Sequence, residues 1–238
     1  VISNFRLNDI KNSGQGAPLT PIFHYYLTSK FRKKICFINL GGITNITYCD
    51  HTNRYGIKKL LAFDVGPCCS LLDDWVSLRS QNKFDKFGNF AEKGNVNKNV
   101  LDLYLKNNFF LKKPPKSLDR SFFSITNLEK LSTNDGAATL TQLIIKTIKN
   151  SLEFLPLKPE LLILSGGGRL NKYLVKKLNN EINSKIKLSD DIKWNGDAIE
   201  AYAFGFLAVR RLKNLPISFP QTTGVNKSVV GGDISNSI

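Results

Sequence analysis

The sequence has no methionine, two histidines and four cysteines, and it is short of acid: 19 Asp and Glu stand against 34 Lys and Arg, a net charge of +15. Each shortage excludes something. With no initiating Met and a first segment that already reads as mid-protein, the 238 residues are expected to lack their natural start. Cys36, Cys49, Cys68 and Cys69 form no CxxC pair, and two histidines do not complete a zinc set, so no metal site built from protein side chains alone is expected. Cys36 and Cys49 lie in apolar runs and read as core, which suits a reducing, cytoplasmic setting. No stretch runs 18 apolar residues without charge, so no transmembrane helix and no membrane partner are expected. No secretory signal opens the chain. The basic excess invites a nucleic-acid partner, but the lysines of "KKLLAF", "YLKNNFFLKKPPK" and "YLVKKLNN" are scattered and form no single stripe. Nucleic acid is therefore not expected. A positive field suits an anionic small substrate instead.

What is present is ample core material: 42% hydrophobic residues, 16 of them Phe, enough for one large domain or two small ones. The first 29 residues read as a short run and a loop, then an apolar helix around "IFHYYL". "KICFINL", "NITYC" and "KKLLAFDVG" read as three strands close enough to pair as an antiparallel meander. "CCSLLDDWVSL" has helical spacing, with Gly66 and Pro67 as its start signal. Asn82 to Leu131 reads as an insertion broken by "KKPPKS", with a helix near "NVLDLYLKNNFF". A long helix follows, "NDGAATLTQLIIKTIKNSLEFL", with Asn134 or Asp135 as its N-cap. Strand "ELLILSGGG", helix "RLNKYLVKKLNNEI", strand "SKIKLS" and helix "DAIEAYAFGFLAVRRL" come next, then a loop tail. A three-strand meander followed by alternating helices and strands predicts an α/β, ribonuclease-H-like domain. Actin-like ATPases, sugar kinases and two-metal nucleases share that topology, so the sites must choose among them. Residues 31–238 are expected to form this domain with an insertion at about 82–131, and 1–30 to be the end of a preceding half.

A two-metal nuclease needs acidic ligands on the first strand. "CFINL" offers Asn39 and no acid. "GGITN" fits a hairpin that cradles phosphates, because Gly41 and Gly42 let backbone N–H groups come close to an anion. Thr44 would add a hydroxyl and Asn45 an amide; an ordinary hairpin turn is the other explanation. "LSGGGRLN" places Gly166, Gly167, Gly168 and Asn171 at a strand-to-helix junction. "AFDVGPCC" places Asp64 at the end of the third strand, as a general base in a cleft or as a cap for the next helix. Glu200 stands on an otherwise apolar helix, either at its solvated edge or as a sugar ligand. Lys116 and Arg120 read as surface charges near the Pro-Pro break.

Together these stretches resemble the anhydro-N-acetylmuramic acid kinase family over almost the whole chain. The family's "ADFRxxDxAxGGQGAPLVP" appears as "SNFRLNDIKNSGQGAPLTP", "NxGGxxN" as "NLGGITN", and "FDTGPGN" as "FDVGPCC". "PPKSTGRxxF" appears as "PPKSLDRSFF", "ATLT" as Ala138 to Thr141, "GGGxxN" as "GGGRLN" and "EAxxFAxLA" as "EAYAFGFLA". The resemblance implies an actin-like kinase using ATP and Mg²⁺ on a small amino sugar, 1,6-anhydro-N-acetylmuramic acid, and working as a homodimer. It makes Asp64 the general base. Gly41, Gly42 and Asn45 would lie at the phosphates, Gly166, Gly167, Gly168 and Asn171 on the adenosine side, and Arg6 and Glu200 at the sugar. The family's "GTSxDG" and "SHGQT" segments do not occur in this sequence, and Cys68 and Cys69 stand where the family has Gly-Asn. A kinase for another sugar and a non-catalytic remnant are the alternatives those departures raise.

Overall fold

The computed structural model describes residues 1–52 and 59–235. The start of the expected third strand, Lys58, lies outside them. The described chain opens with β1 (Ile2–Ser3), α1 (Leu7–Lys11) and α2 (Pro21–Thr28). The meander follows as β2 (Lys34–Leu40), β3 (Ile43–Asp50) and β4 (Leu60–Pro67), and leads into α3 (Cys69–Arg79). α4 (Asn89–Lys93) and α5 (Lys98–Leu105) fall between residues 82 and 131. α6 (Thr133–Ser151), β5 (Leu161–Ser165), α7 (Lys172–Glu181), β6 (Lys185–Leu188) and α8 (Ile199–Leu212) come next, and α9 (Pro220–Thr223) and β7 (Asp233–Ile234) end the described chain.

The main sheet has the order β4-β3-β2-β5-β6. β2, β3 and β4 pair antiparallel, while β5 joins β2 and β6 joins β5 in parallel. This is the ribonuclease-H-like order expected from the sequence. Both faces of the sheet are covered, which is why β2 and β5 read as nearly unbroken apolar runs rather than alternating ones. On one face Cys36, Ile38, Leu40, Ile46, Phe63 and Leu164 pack against Ile144 and Ile148 of α6 and Leu174 and Leu178 of α7. On the other, Ile35, Phe37 and Ile163 meet Phe23 of α2 and Ile199 of α8. Each such fully buried side chain contributes about 1.5–3 kcal/mol. A satellite core under α3, α5 and α6 centres on Trp75, Leu128 and Leu140. Cys36 and Cys49 are both fully buried core residues, as expected.

The ends of elements differ from the sequence-based picture where side chains compete for backbone. The cap of α6 is Ser132, whose Oγ accepts from the Asp135 N–H at 3.1 Å and donates to the Asp135 carboxylate at 2.7 Å. Asn134 and Asp135 are therefore inside the helix, past the one position, Ser132, that must be non-helical. The tail is not all loop: it contains α9, and β7 pairs antiparallel with β1, so both described ends of the chain are tied together. α7 begins only at Lys172, because a short 3₁₀ turn, Gly167–Leu170, intervenes after the glycines.

The capping assignment is testable. Ser132→Ala should cost about 1 kcal/mol in urea unfolding, while Asn134→Ala should leave the midpoint nearly unchanged. The reverse ranking would return the cap to Asn134.

Candidate active site

One rung of the main sheet is polar. Asp64 of β4 lies opposite Asn45 of β3, Asn45 opposite Asn39 of β2, and Asn39 beside Ser165 of β5. Lateral neighbours in a sheet point to the same face, so four polar side chains are delivered in a row to the face shared with α2 and α8. The row follows from strand alternation and from the register of β3 with β4, which runs unbroken from the Cys49–Leu60 pair to the Asn45–Asp64 pair. Phe63 and Val65, on either side of Asp64, both face the core beneath, as alternation requires. A β-bulge follows at once: Thr44 pairs with Gly66, leaving Val65 as the extra residue, so the irregular end of β4 begins only beyond the row.

The rung floors a cavity of about 600 Å³. Its walls are the Gly16–Thr20 segment with Arg6, the start of α8 with Glu200 and Phe204, the Leu118–Arg120 segment, and the corner after β5. The Gly16–Thr20 wall is held from behind by Asp9. Its buried carboxylate accepts from the Gly16 N–H and from Thr223 Oγ1, both at 2.6 Å, and Arg6 Nε donates to the Gly16 carbonyl at 3.0 Å.

The three glycines after β5 have different reasons to be glycine. Gly166 has φ +76°, and a Cβ there would run into Asn39 Oδ1 and the Leu40 backbone, so the fold itself demands it. Gly168 is closed off by Leu40 Cβ at 2.8 Å. A Cβ on Gly167 would meet nothing within 4 Å, and Gly167 lines the cavity. Its missing side chain leaves space that none of the described residues fills. Gly41 differs: a Cβ there would sit in ordinary contact, 3.5 Å, with the Asn39 side chain. Arg169 buttresses the corner. It is buried, its Nη1 donates to the Gly166 carbonyl at 3.0 Å, and it pairs with Asp190 at 2.6 Å and Asp197 at 2.9 Å.

Asp64 is 6% exposed. Its Oδ2 accepts from the Leu118 N–H at 2.8 Å, and its own N–H donates to the Lys116 carbonyl at 2.8 Å. Burial pushes its carboxyl up to about 6, against a smaller opposing pull from the Leu118 N–H. It does not cap α3, which has no side-chain cap. A buried carboxylate facing a polar cavity, with a pKa near neutrality, suits proton abstraction. The neighbouring His24 does not compete: burial pushes it down to about 3, and its ring stacks on Phe37 at 4.0 Å while its Nδ1 meets Thr47 Oγ1 at 2.9 Å.

The structure gathers Asp64, Asn45, Gly166, Gly167, Arg6 and Glu200 around the one cavity. It sets the other expected residues apart from its walls. Thr44 is fully buried, and its hydroxyl has no hydrogen-bond partner among the described residues. Asn171 spends its Oδ1 on the Leu174 N–H at 3.0 Å as the cap of α7, so it has a helix to hold. Gly168 is buried, while Gly41 and Gly42 form the hairpin tip at the cavity's edge, their carbonyls accepting from the N–H groups of Cys69, Cys68 and Ser70. Arg120 is exposed and pairs with Asp74 at 3.2 Å, yet it also lines the cavity. Lys116 is not a surface charge: it is 5% exposed. Sequence reasoning missed Asn39, Ser165, Asp9 and Arg169. Asn39 left a trace as the one polar residue inside "KICFINL".

Sheet order, polar rung and open glycine corners define a ribonuclease-H-like α/β domain with a carboxylate-bearing cleft. The chain belongs to the anhydro-N-acetylmuramic acid kinase family, whose model matches residues 1–237. It is 42% identical over 234 residues to the anhydro-N-acetylmuramic acid kinase of Zymomonas mobilis, covering 98% of this chain and 63% of that protein. It is 42% identical over 232 residues to that of Rhizorhabdus wittichii, covering 98% and 62%. The chain thus spans less than two thirds of the length of these relatives. Among solved structures, a xylulose kinase from Lactobacillus acidophilus covers 76% of this chain and is covered over 42% of its own, at 16% identity and a TM-score of 0.43, too slight a likeness to carry an inference.

The raised pKa of Asp64 has a consequence for stability. The folded value lies above the unfolded one, so Asp64 favours folding below about pH 4, and that contribution disappears as pH rises through about 6. Asp64→Asn should therefore stabilise the protein at about pH 8, by on the order of 2–3 kcal/mol, and change little at about pH 3.5. Urea unfolding at both values checks this; equal effects at both would mean that the carboxylate is not held up by burial.

Proposed function

We propose that the whole protein carrying this chain is an ATP-dependent kinase that opens the 1,6-anhydro ring of 1,6-anhydro-N-acetylmuramic acid and phosphorylates the freed O6. The observation that carries this reading is the placement of Asp64 on the polar rung, in one cavity with the open glycine corner, in a chain of this family. Asp64 takes a proton from a water molecule, which attacks C1. The C1–O6 bond breaks, and O6 takes the γ-phosphoryl group, giving N-acetylmuramic acid 6-phosphate and ADP. The carboxylate is mostly ionised at neutral pH, which suits a base, and the phosphoryl step rests on positioning and charge stabilisation.

The empty volume beside Gly167 is a cradle that a Cβ would fill, and it fits the close approach of a nucleotide. Asn45 and Asn39 supply amides on the same side. Mg²⁺ would travel on the phosphates, as it usually does. Arg6 and Glu200, on facing walls, are the groups for the amino sugar. Gly42, Thr44, Gly168 and Asn171 would act from behind the surface, by shaping hairpin and corner. The role is peptidoglycan recycling in the cytoplasm; no helix among the described residues is long and apolar enough to cross a membrane. The proposal includes a homodimer, supported by the family and by apolar side chains exposed on α8, Tyr202, Val209 and Leu212. It takes residues 31–238 as the kinase domain and 1–30 as the end of the half before it. A non-catalytic remnant is disfavoured because Cys68 and Cys69 lie outside the cavity walls.

The test uses the complete protein with ATP and the anhydro sugar, with product read by mass. Asp64→Asn should lower kcat about 10²–10⁴-fold while the protein stays folded. Gly167→Ala should weaken ATP binding and leave the melting temperature unchanged, because its methyl enters space vacant without nucleotide. A folded complete protein that forms no phosphorylated sugar would refute the proposal, as would an Asp64→Asn variant of full activity.

A further inference from the structure

We propose that Lys116 is a positioning residue: its ammonium group, sunk in a box of phenylalanine rings, anchors the strap that holds the Asp64 carboxylate. The inference rests on the kinase reading for its activity test but not for its geometry. Residues 116–118 run alongside Asp64 and grip it twice, the Lys116 carbonyl accepting from the Asp64 N–H and the Leu118 N–H donating to Asp64 Oδ2, each at 2.8 Å. Among the described residues the Leu118 N–H supplies the one hydrogen bond to that carboxylate. Whatever fixes this strap fixes the base.

The Lys116 side chain is what fixes it. Its Nζ donates to the Phe109 carbonyl at 3.0 Å and lies 4.6 Å from the Phe109 ring centroid, 4.9 Å from that of Phe154 and 6.0 Å from that of Phe63. These come from three places: the segment after α5, the 3₁₀ turn Leu152–Phe154 that follows α6, and the β4 residue immediately before Asp64. The ammonium therefore joins strap, strand and helix end at one point. It has no carboxylate partner within ion-pair distance among the described residues. A buried lysine without an ion pair is costly, and burial, aided by Lys112, pushes its pKa down to about 8. For surface chemistry the charge would sit more cheaply in water. Cation–π attraction to several desolvated rings offsets part of the cost, and the return is a rigid strap under the base.

The experiment compares wild type with Lys116→Met in the complete protein. Methionine keeps an unbranched apolar stem for the box and removes the charged donor. kcat should fall about 10–100-fold with the KM for ATP within about twofold. The acidic limb of the kcat/KM profile should move to higher pH, since the Leu118 N–H that restrains the Asp64 pKa is loosened. The other charged groups around that cavity, Arg6, Arg120, Arg169, Asp119, Asp197 and Glu200, are untouched by the change. A purely structural lysine would lower stability without moving the pH limb. Independently of turnover, hydrogen exchange at the Leu118 amide should accelerate in the variant. Should Lys116→Met fail to fold, Lys116→Gln supplies the same readouts. A variant with kcat within about twofold of wild type and an equally protected Leu118 amide would overturn the proposal. A wild type that lacks turnover would refute the kinase reading and leave the Leu118 exchange rate to decide on Lys116.

Discussion

The register that sets Asp64 opposite Asn45 is the constraint on which the site depends. A strand buried on both faces has no spare polarity to give, and each side chain belongs to one core or the other. Phe63 and Val65 both face α6, and Asp64 between them points to the opposite face, where Asn45, Asn39 and Ser165 lie in register. A slip of one residue would set the carboxylate among Ile144, Ile148 and Leu164, where no charge could be kept. The bulge at Val65 comes just beyond the row and leaves it intact. One register thus makes the core apolar on one side and the cleft polar on the other.

The cleft is held by contacts made behind it. Asp9 ties the Gly16 turn to Thr223, so the first and last parts of the described chain meet under one wall. Arg169 ties the glycine corner to Asp190 and Asp197. A buried ion pair is weak evidence of stability, since desolvation offsets much of its attraction. Its value here is geometric: a planar guanidinium with three partners fixes the direction in which Gly166 and Gly167 face. Functional side chains therefore stand on strands and corners whose orientation is settled twice, once by the sheet ladder and once by a buried charge.

The order of elements was legible because it depends on local periodicity: "KICFINL", "NITYC" and "ELLILS" have the apolar runs of covered strands and became β2, β3 and β5. Asp64 and the two glycine motifs were legible because polar or glycine residues interrupt those runs. What stayed hidden were tertiary facts. Nothing in "FDVGP" announces a bulge, since its signature is the register with the preceding strand β3. Ser132 lost to Asn134 and Asp135 as the expected cap because all three residue types cap well, and only backbone φ and ψ separate them. Lys116 in "KKPPKS" looked like surface because lysine usually is, and the three rings that enclose it come from positions 63, 109 and 154. Asn171 belonged to a glycine motif in the sequence and to a helix cap in space.

One departure from the family's pattern loses force for a related reason. Cys68 and Cys69 replace Gly-Asn, and neither thiol can do what an amide does. Yet what the pair contributes to the hairpin is main chain: the Cys68 N–H donates to the Gly42 carbonyl and the Cys69 N–H to the Gly41 carbonyl, each at 3.1 Å. Any residue but proline has that N–H. These bonds draw the hairpin carbonyls toward the start of α3. The two thiols lie 3.9 Å apart, Cys68 buried and Cys69 directed at the Leu40 carbonyl, both packed between hairpin and glycine corner rather than projecting into the cleft. A motif position that acts through its backbone tolerates a change of side chain that a position acting through its side chain, the role proposed for Asp64, would not.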